Sequence, residues 1–398
     1  MRILVINQYY PPDVANSAKM LGHLVEALQH QHEVTVIAGR PSYNATASEG
    51  TPPGHVIRIP STSFRRQLIA GRIANYFSYM ALSSLRTMLC RRPDLVLTMT
   101  DPPVIGLLGV AAAARFRCPL VQVSHDVYPE IAEALGVITN QRAIAVWRKL
   151  NNFVRTRAAG VVVVGRDMEH LLAEQGVSRQ KLHYVPMWAE DQILSTEQRE
   201  RTRGIMSWND RCVVMHAGNL GPAQDLDTLL DAAASLVDDP GFLFVLMGDG
   251  AARPHLEQRM KDEHLPNVRL IDYRPQDEAQ ELMAAADLHV VSLARGLGPL
   301  AAPSKTYGIL AAGRPFIAAA DSGAEPTLIV HEEDCGMSCT PGDGVALAKT
   351  IRELRSKPLD ELGRNARDAF DRRFRRDVVT TKLVRVLEGV QRTSGSSQ

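Results

Sequence analysis

Pro303-Ser304-Lys305-Thr306-Tyr307-Gly308-Ile309-Leu310-Ala311-Ala312-Gly313-Arg314-Pro315-Phe316-Ile317-Ala318 reads as a helix between a capping serine and a Gly-Arg-Pro stop, followed at once by an apolar strand. The first-turn amides of such a helix are unpaired and carry the positive end of its dipole. Lys305 adds a full charge beside them, so the helix start suits a phosphate. A second strand-to-helix corner follows Ala217-Gly218-Asn219-Leu220-Gly221. Either corner alone is what any α/β domain contains; the two together suggest a site for a diphosphate such as a nucleotide-sugar carries.

Outward from these corners, short β-branched runs alternate with helical patterns along most of the chain. Ile3–Ile6, Val34–Ile37, Leu95–Leu97, Leu120–Val123 and Val161–Val164 are near-continuous apolar runs, the pattern of strands buried on both faces of a parallel sheet. The polar and charged stretch Trp188 to Asp210 interrupts the alternation and reads as a connection. It resumes with Cys212–Met215, Phe242–Met247, Val268–Ile271, Leu288–Val291 and Phe316–Ala318. The expectation is an α/β protein of two doubly wound parallel-sheet domains, residues 1–190 and 191–377, with the carboxyl ends of their strands facing a shared cleft. Residues 378–398 form a C-terminal helix and tail, expected to pack back on the first domain.

A chain of 398 residues is long for one core, and two domains are the prior. Lys+Arg 45 against Asp+Glu 44 leaves a formal charge of +1, which argues against a dedicated nucleic-acid binder. Cys90, Cys118, Cys212, Cys335 and Cys339 are scattered without zinc-ligand spacing, as suits a reducing cytoplasm. Met1 leads directly into Arg2-Ile3-Leu4-Val5-Ile6 with no secretory leader. No apolar run reaches the roughly 20 residues of a membrane span. The expected location is therefore cytoplasmic.

The nucleotide-binding signatures of other enzyme classes are missing. Ile6 runs into Asn7-Gln8-Tyr9-Tyr10-Pro11-Pro12-Asp13 instead of a Gly-x-Gly-x-x-Gly turn, and no Gly-x-x-x-x-Gly-Lys-Ser/Thr occurs. Ser124-His125-Asp126-Val127-Tyr128-Pro129-Glu130 brings an imidazole and two carboxylates together just beyond a strand. His125 is the catalytic candidate, with Asp126 or Glu130 fixing its tautomer; a histidine bonded to a loop backbone explains the same residues. After the Phe242 strand, Gly248-Asp249-Gly250 would let a ligand approach the backbone, with Asp249 able to cap the next helix. Asp225 and Asp227 imitate a metal-holding acidic pair but start a helix and point to different sides, complementing its dipole. Glu325 follows the Phe316 strand, where it could meet a ribose or sugar hydroxyl or cap a helix.

Taken together, the residues resemble the retaining GT-B glycosyltransferases of the O-antigen and colanic-acid biosynthesis type. The resemblance runs through Tyr9-Tyr10-Pro11-Pro12, His125-Asp126-Val127-Tyr128-Pro129-Glu130, Val185-Pro186-Met187-Trp188, Ala217-Gly218-Asn219-Leu220-Gly221, Gly248-Asp249-Gly250 and Pro303-Ser304-Lys305. It implies two Rossmann-like domains, metal-independent transfer from a nucleotide-sugar bound mainly on the C-terminal domain, and an acceptor on the N-terminal one. Gly218, Asn219 and Gly221 would approach the diphosphate, Gly248 and Gly250 border the nucleotide, Ser304 and Lys305 hold phosphate, and His125 serve the transferred sugar.

The chain departs from that pattern in three places. Val14-Ala15-Asn16 replaces a glycine pair; Asn219 and Gln224 stand where many relatives have Arg and Lys; and the two glutamates of a Glu-x7-Glu motif align with Leu300 and Gly308. Lys305, Arg295 and Arg314 could restore the charge, and Glu325 could serve the ribose. Between Arg65-Arg66 and Arg91-Arg92, Tyr76-Phe77-Ser78-Tyr79-Met80 gives a basic-ended apolar helix able to rest on an anionic membrane; a core helix would look the same. The expected activity is transfer from a UDP- or GDP-sugar to a lipid-linked saccharide or small acceptor, at the inner membrane face, with no metal or nucleic acid. The alternatives are a non-catalytic subunit supporting a partner transferase and a sugar-nucleotide 2-epimerase.

Overall fold

The computed structural model describes residues 1–13, 15–41, 51–62, 64, 69–191, 193–208 and 210–395; Val14, Arg65 and Arg66, and residues 396–398 of the tail lie outside them. Two compact units are present. The first comprises Met1–Val164, Met168–Val185 and Thr380–Gln398, and the second Gly165–Asp167 and Pro186–Val379.

In chain order the first part runs β1 (Arg2–Ile6), α1 (Asn16–Gln29), β2 (Glu33–Gly39), β3 (His55–Ile59), α2 (Ile69–Met88), β4 (Leu95–Thr98), α3 (Gly106–Phe116), β5 (Leu120–Ser124), α4 (Glu130–Ala134), α5 (Gln141–Arg157), β6 (Gly160–Val163), α6 (Arg166–Glu174) and β7 (Leu182–Tyr184). These strands form one sheet in the order β3-β2-β1-β4-β5-β6-β7, each pair parallel. Every residue of β4, β5 and β6 is buried, as the continuous apolar runs required. α1 turns Ala18, Leu21, Val25 and Leu28 inward at three- and four-residue spacing. The strand order reverses between β1 and β4, so the crevice of this sheet opens beside Asn7 and Asp101.

The second part runs α7 (Thr196–Ile205), β8 (Cys212–Ala217), α8 (Leu226–Ala234), β9 (Phe242–Met247), α9 (Arg253–Asp262), β10 (Val268–Ile271), α10 (Gln276–Ala285), β11 (Leu288–Ser292), α11 (Lys305–Ala311), β12 (Phe316–Ala319), α12 (Glu325–Glu332), β13 (Gly336–Cys339), α13 (Gly344–Arg355), α14 (Leu359–Ala369) and α15 (Arg376–Gly395). Its sheet has the order β10-β9-β8-β11-β12-β13, again parallel throughout. Leu229, Leu230, Phe242, Phe244, Leu288 and Ile317 belong to one buried cluster on one side. Trp208, Met215, Val245 and Leu282 belong to a second. Each such side chain contributes roughly 1.5–3 kcal/mol on burial.

Three strands had no sequence signal. β3 is half-exposed and carries His55 and Arg58, β7 has three residues, and β13 is Gly-Met-Ser-Cys; such edge strands lack the apolar run that marks interior ones. The segment 188–210 is more than a connection. Ser195 and Gln198 form a capping box that starts α7, and Trp208 is fully buried. The charges that mimicked a linker are anchors. Arg203 donates to Asp287 and to the carbonyls of Ala285, Trp208 and Arg211, and Arg199 donates to Asp287.

Candidate functional site

In the second unit β8 and β11 pair over only two residues, Val214 with Leu288 and Met215 with His289. Beyond them β8 keeps its register with β9 to Ala217 and Met247, while β11 keeps its register with β12 to Ser292 and Ala319. The strands thus separate at the point where the strand order reverses, and His216 stands there with its ring fully buried. Lys305, the first residue of α11, places Nζ 2.9 Å from Nε2 of His216. Burial lowers the Lys305 ammonium to about 7. The His216 imidazole is pushed well below its ordinary value, first by burial and then by the Lys305 charge. Nearby, His289 is lowered to about 4 by burial, with Arg314 and Lys305 adding to the fall.

The loops after β8 and β9 touch through their backbones. At Gly248, where φ is +145°, a Cβ would fall 1.9 Å from the Gly218 carbonyl oxygen, and at Gly250 one would fall 2.4 Å from that of Leu220. Only glycine fits there. Gln224 uses Oε1 on the Gly221 amide at 3.2 Å and on Asn219 Nδ2 at 3.3 Å, which shapes the Gly218–Gly221 loop from within. Ser292 Oγ donates to the Gln224 carbonyl, and the Ala294 amide to that of Ala223 at 2.9 Å, tying the ends of β8 and β11 together. Arg295 reaches the Pro341 carbonyl at 3.4 Å.

Several expectations change on inspection. Ser304 precedes α11 without capping it, and α11 is only seven residues long, so cationic charge at this corner comes from Lys305 rather than from a capped helix start. Asp249 accepts from the Gly250 amide and does not cap α9, which begins after Ala252. Glu325 is 2% exposed, and both of its oxygens accept from Arg166, at 2.8 Å from the backbone amide, 3.0 Å from Nε and 3.1 Å from Nη2. A carboxylate so engaged is a poor ribose acceptor; the sequence could not show this because Arg166 lies 159 positions away. Asp227 pairs with Arg259 at 2.7 Å and with His255 at 2.8 Å, and Asp225 accepts from Thr228. Among the described residues no group of three His, Cys, Asp or Glu could hold a metal ion.

In the first unit the ends of β1, β4 and β5 bring Asn7, Gln8, Asp101, His125 and Asp126 to the carboxyl edge of the sheet. The Gln8 amide donates to the Asp101 carbonyl at 2.9 Å. Burial raises the Asp126 carboxyl to about 7, with the negative charge of Asp101 adding to it. Burial lowers the His125 imidazole to about 4, so it is neutral at physiological pH and offers one donor and one acceptor. Asn7 Oδ1 and Gln8 Oε1 are buried without a hydrogen-bond partner among the described residues, a state that costs about 1–3 kcal/mol each. Sequence reading passed over both; their place directly after the first strand of a doubly wound sheet was the available signal.

Glu130 does not orient His125. Its Oε1 accepts from Arg148 Nε at 2.9 Å and Gln175 Nε2 at 3.1 Å. The loop through Tyr9 to Pro12 is held from below by Arg58, which donates to the carbonyls of Gly39 and Pro11, and by Tyr10, whose hydroxyl donates to the Pro53 carbonyl at 2.6 Å.

Comparison with known proteins bears on the family and the fold. Residues 17–188 match the family model of the glycosyl transferase 4-like domain, and residues 211–357 match that of glycosyl transferases group 1. WbjE of Pseudomonas aeruginosa, named as a probable glycosyltransferase, is 28% identical over 94% of this chain and 94% of its own length. WcaI of Escherichia coli (strain K12), whose name assigns it to colanic acid biosynthesis glycosyl transfer, is 27% identical over 82% and 84%. The crystal structure of HepE from Anabaena in complex with UDP superposes with a TM-score of 0.74 at 19% identity, covering 98% of this chain and 100% of that one. Two doubly wound parallel sheets and two consecutive glycosyltransferase domain matches identify the chain as a member of the GT-B glycosyltransferases.

Proposed function

We propose that the chain transfers a sugar from a UDP- or GDP-sugar, with retention and without a metal ion, to a lipid-linked saccharide or a small acceptor. The observation that carries this reading is the parted end of β8 and β11, where fully buried His216 and half-buried Lys305 meet the glycine-lined loops at Gly218 and Gly248. An arriving diphosphate would restore the Lys305 ammonium by placing opposite charge beside it. Backbone amides of the Gly218–Gly221 loop would stabilise the departing nucleoside diphosphate, so the charge of the leaving group meets fixed dipoles and one cation rather than a metal. That a protein of the same fold, HepE, was crystallised with UDP supports a nucleotide as the ligand. Asn219, Gln224, Gly250, Arg295 and Ser304 frame it, and retention follows from the family resemblance.

The acceptor is assigned to the carboxyl edge of the first sheet. There neutral His125 would hold a sugar hydroxyl, and Asp126, titrating near neutrality, would take or return its proton. A lipid-linked acceptor implies work at the cytoplasmic face of a membrane. No described helix is long and apolar enough to cross one. α2 buries Tyr79, Ser83 and Thr87 and exposes Ile73, Phe77 and Leu85, 61%, 75% and 65% accessible, on its other side. That face supports surface contact with lipid.

A thermal-shift screen with UDP, GDP and TDP in the presence of EDTA tests the donor site, because a ligand that binds only the folded chain raises its melting temperature. A selective rise with one nucleotide supports the reading and names the base. No rise with any of the three would favour the non-catalytic subunit. Release of free epimer from donor alone would favour the 2-epimerase.

A further inference from the structure

Arg314, one of the cations the sequence offered to the diphosphate, lies elsewhere. α11 runs from Lys305 to Ala311, and Arg314 follows its far end, just before β12. Asp287 stands just before β11. Both residues therefore belong to the amino-terminal edge of the second sheet, opposite the edge where Lys305 meets His216. α7 brings Arg199 and Arg203 to the same edge through their bonds to Asp287. Arg314 is half-buried. Its Nε is buried without a hydrogen-bond partner, and no carboxylate forms an ion pair with it among the described residues. Burial lowers its guanidinium to about 10, with the charges of Arg199 and Arg203 adding to the fall and those of Asp287 and Asp360 opposing it. At neutral pH it is still a cation.

A cation just past a helix can answer the last carbonyls of that helix. Here Arg367 does so: its Nη1 donates to the Ala311 carbonyl at 2.9 Å, while its Nε and Nη2 pair with Asp371 at 2.9 and 3.0 Å. Nor is Asp287 free to serve Arg314. It already accepts from Arg199 at 2.6 Å, from Arg203 at 2.9 Å and from the Val213 amide at 2.7 Å. Arg199 uses Nη2 on Asp287, and its own Nε is buried without a partner. Two neighbouring guanidiniums thus each keep a buried donor unmet, in a group of three arginines with one carboxylate in contact. Unmet donors and unbalanced charge are both costly when buried. An oxyanion would answer the two together.

We infer that the amino-terminal edge of the second sheet holds a binding site for a small tetrahedral oxyanion, free phosphate, gripped by the guanidiniums of Arg314 and Arg199. Phosphate carries both the charge and the several acceptor oxygens that forks of N–H donors recognise. Chloride brings the charge without that geometry, and water brings an acceptor without the charge. The site lies at the other end of α11 from Lys305 and stands apart from the donor corner, so it does not depend on the transferase reading.

The test is the melting temperature of the full chain in inorganic phosphate up to about 50 mM, with chloride holding the ionic strength constant. Phosphate can also enter the donor corner, so the wild type is measured with saturating UDP and Lys305→Ala is measured beside it. Both are expected to melt higher as phosphate replaces chloride. Arg314→Gln and Arg199→Gln should each bind phosphate more weakly by roughly tenfold or more. In chloride alone Arg314→Gln should melt no lower than the wild type, because the change removes an unmet charge. Arg314→Lys, which keeps the charge but loses the fork, should fall between the two. A single cooperative transition shows that each variant is folded.

An equal rise in the wild type and in both glutamine variants overturns the inference, as does no rise in the wild type. A rise that vanishes in Lys305→Ala and survives in Arg314→Gln assigns the phosphate to the donor corner and overturns it as well. If Arg314→Gln melts well below the wild type in chloride while Arg199→Gln keeps the full phosphate response, the Arg314 guanidinium is structural and the site is refuted. Failure of UDP to bind changes none of these outcomes, since Lys305→Ala is read without it; the donor reading and this one fail separately.

Discussion

Lys305 Nζ lies 2.9 Å from His216 Nε2 at the parted ends of β8 and β11, an amine and an imidazole in contact with His216 fully buried. Two cations cannot share that space. Protonation of Lys305 excludes protonation of His216, and burial brings the ammonium itself down to about 7. The corner is therefore poised between neutral and singly charged near physiological pH, in a site proposed to receive the diphosphate of a donor.

Nucleotide binding should accordingly take up a proton. Above pH 7 the free site increasingly lacks its charge, and the apparent affinity for UDP is expected to fall toward tenfold per pH unit between pH 7.5 and about 9. Calorimetric titration in buffers of different ionisation enthalpy measures the uptake directly. Lys305→Arg should flatten the profile because guanidinium stays protonated, and Lys305→Ala should weaken binding at every pH. A flat wild-type profile with no uptake would refute the assignment.

The same depressed amine has a stability signature in the free protein. Between its folded value of about 7 and the ordinary lysine value near 10.5, the unfolded chain binds the proton and the folded chain does not. Stability contributed through Lys305 therefore rises with pH across that window. Denaturant unfolding of wild type and Lys305→Met between pH 7 and 10 should differ in slope in that direction.

Asp126 has the opposite sign. Burial and the charge of Asp101 raise its carboxyl to about 7, so between about 4 and 7 the folded chain holds a proton that the unfolded chain has lost. Its contribution to stability is present at low pH and declines as pH rises through that range. Asp126→Asn should remove the decline. If Asp126 is the proton acceptor for the sugar hydroxyl, the same change should cost roughly 10²–10⁴ in kcat and remove the limb of the pH–rate profile near 7.

Gly248→Ala should be among the most damaging single changes outside the catalytic candidates. Its Cβ would fall 1.9 Å from the Gly218 oxygen at a φ of +145°, and neither backbone can yield without moving the other loop. A loss of about 3 kcal/mol or more is expected, read by urea unfolding. Gly204→Ala, with open space around the added methyl, should cost little.

Arg203 anchors the segment that resembled a linker. Arg203→Ala removes one donor from each of four acceptors, of which Asp287 keeps Arg199 and the Val213 amide and the Trp208 carbonyl keeps the Arg211 amide. A loss of about 3 kcal/mol is expected. Thermal unfolding checks it, with the nearby exposed Arg201→Ala as the neutral comparison.

The sheets were readable because their interior strands are buried on both faces, which forces an unbroken apolar run such as Val161-Val162-Val163 or Phe242 to Met247. Edge strands answer to weaker demands, and β3, β7 and β13 went unseen for that reason. That Lys305, Gly218 and Gly248 stand at corners of the second sheet was legible because such corners mark themselves with glycine and charge. What the sequence could not disclose was pairing at long range. His216 meets Lys305 across 89 positions and Glu325 meets Arg166 across 159, and nothing in local spacing distinguishes a carboxylate held by an arginine from one waiting for a ribose.

The two-residue register between β8 and β11 separates what must stay constant from what can vary. Below Met215 and His289 the sheet is continuous and its side chains are core; above them the loops are tied by backbone hydrogen bonds and glycine contacts together with two short polar side chains, Gln224 and Ser292. Arg295, which reaches the Pro341 carbonyl at 3.4 Å, sits above that boundary, so its exchange is expected to change the surface of the proposed donor site while the sheet below folds unaltered, a separation that lets one scaffold carry different sites with little stability in reserve.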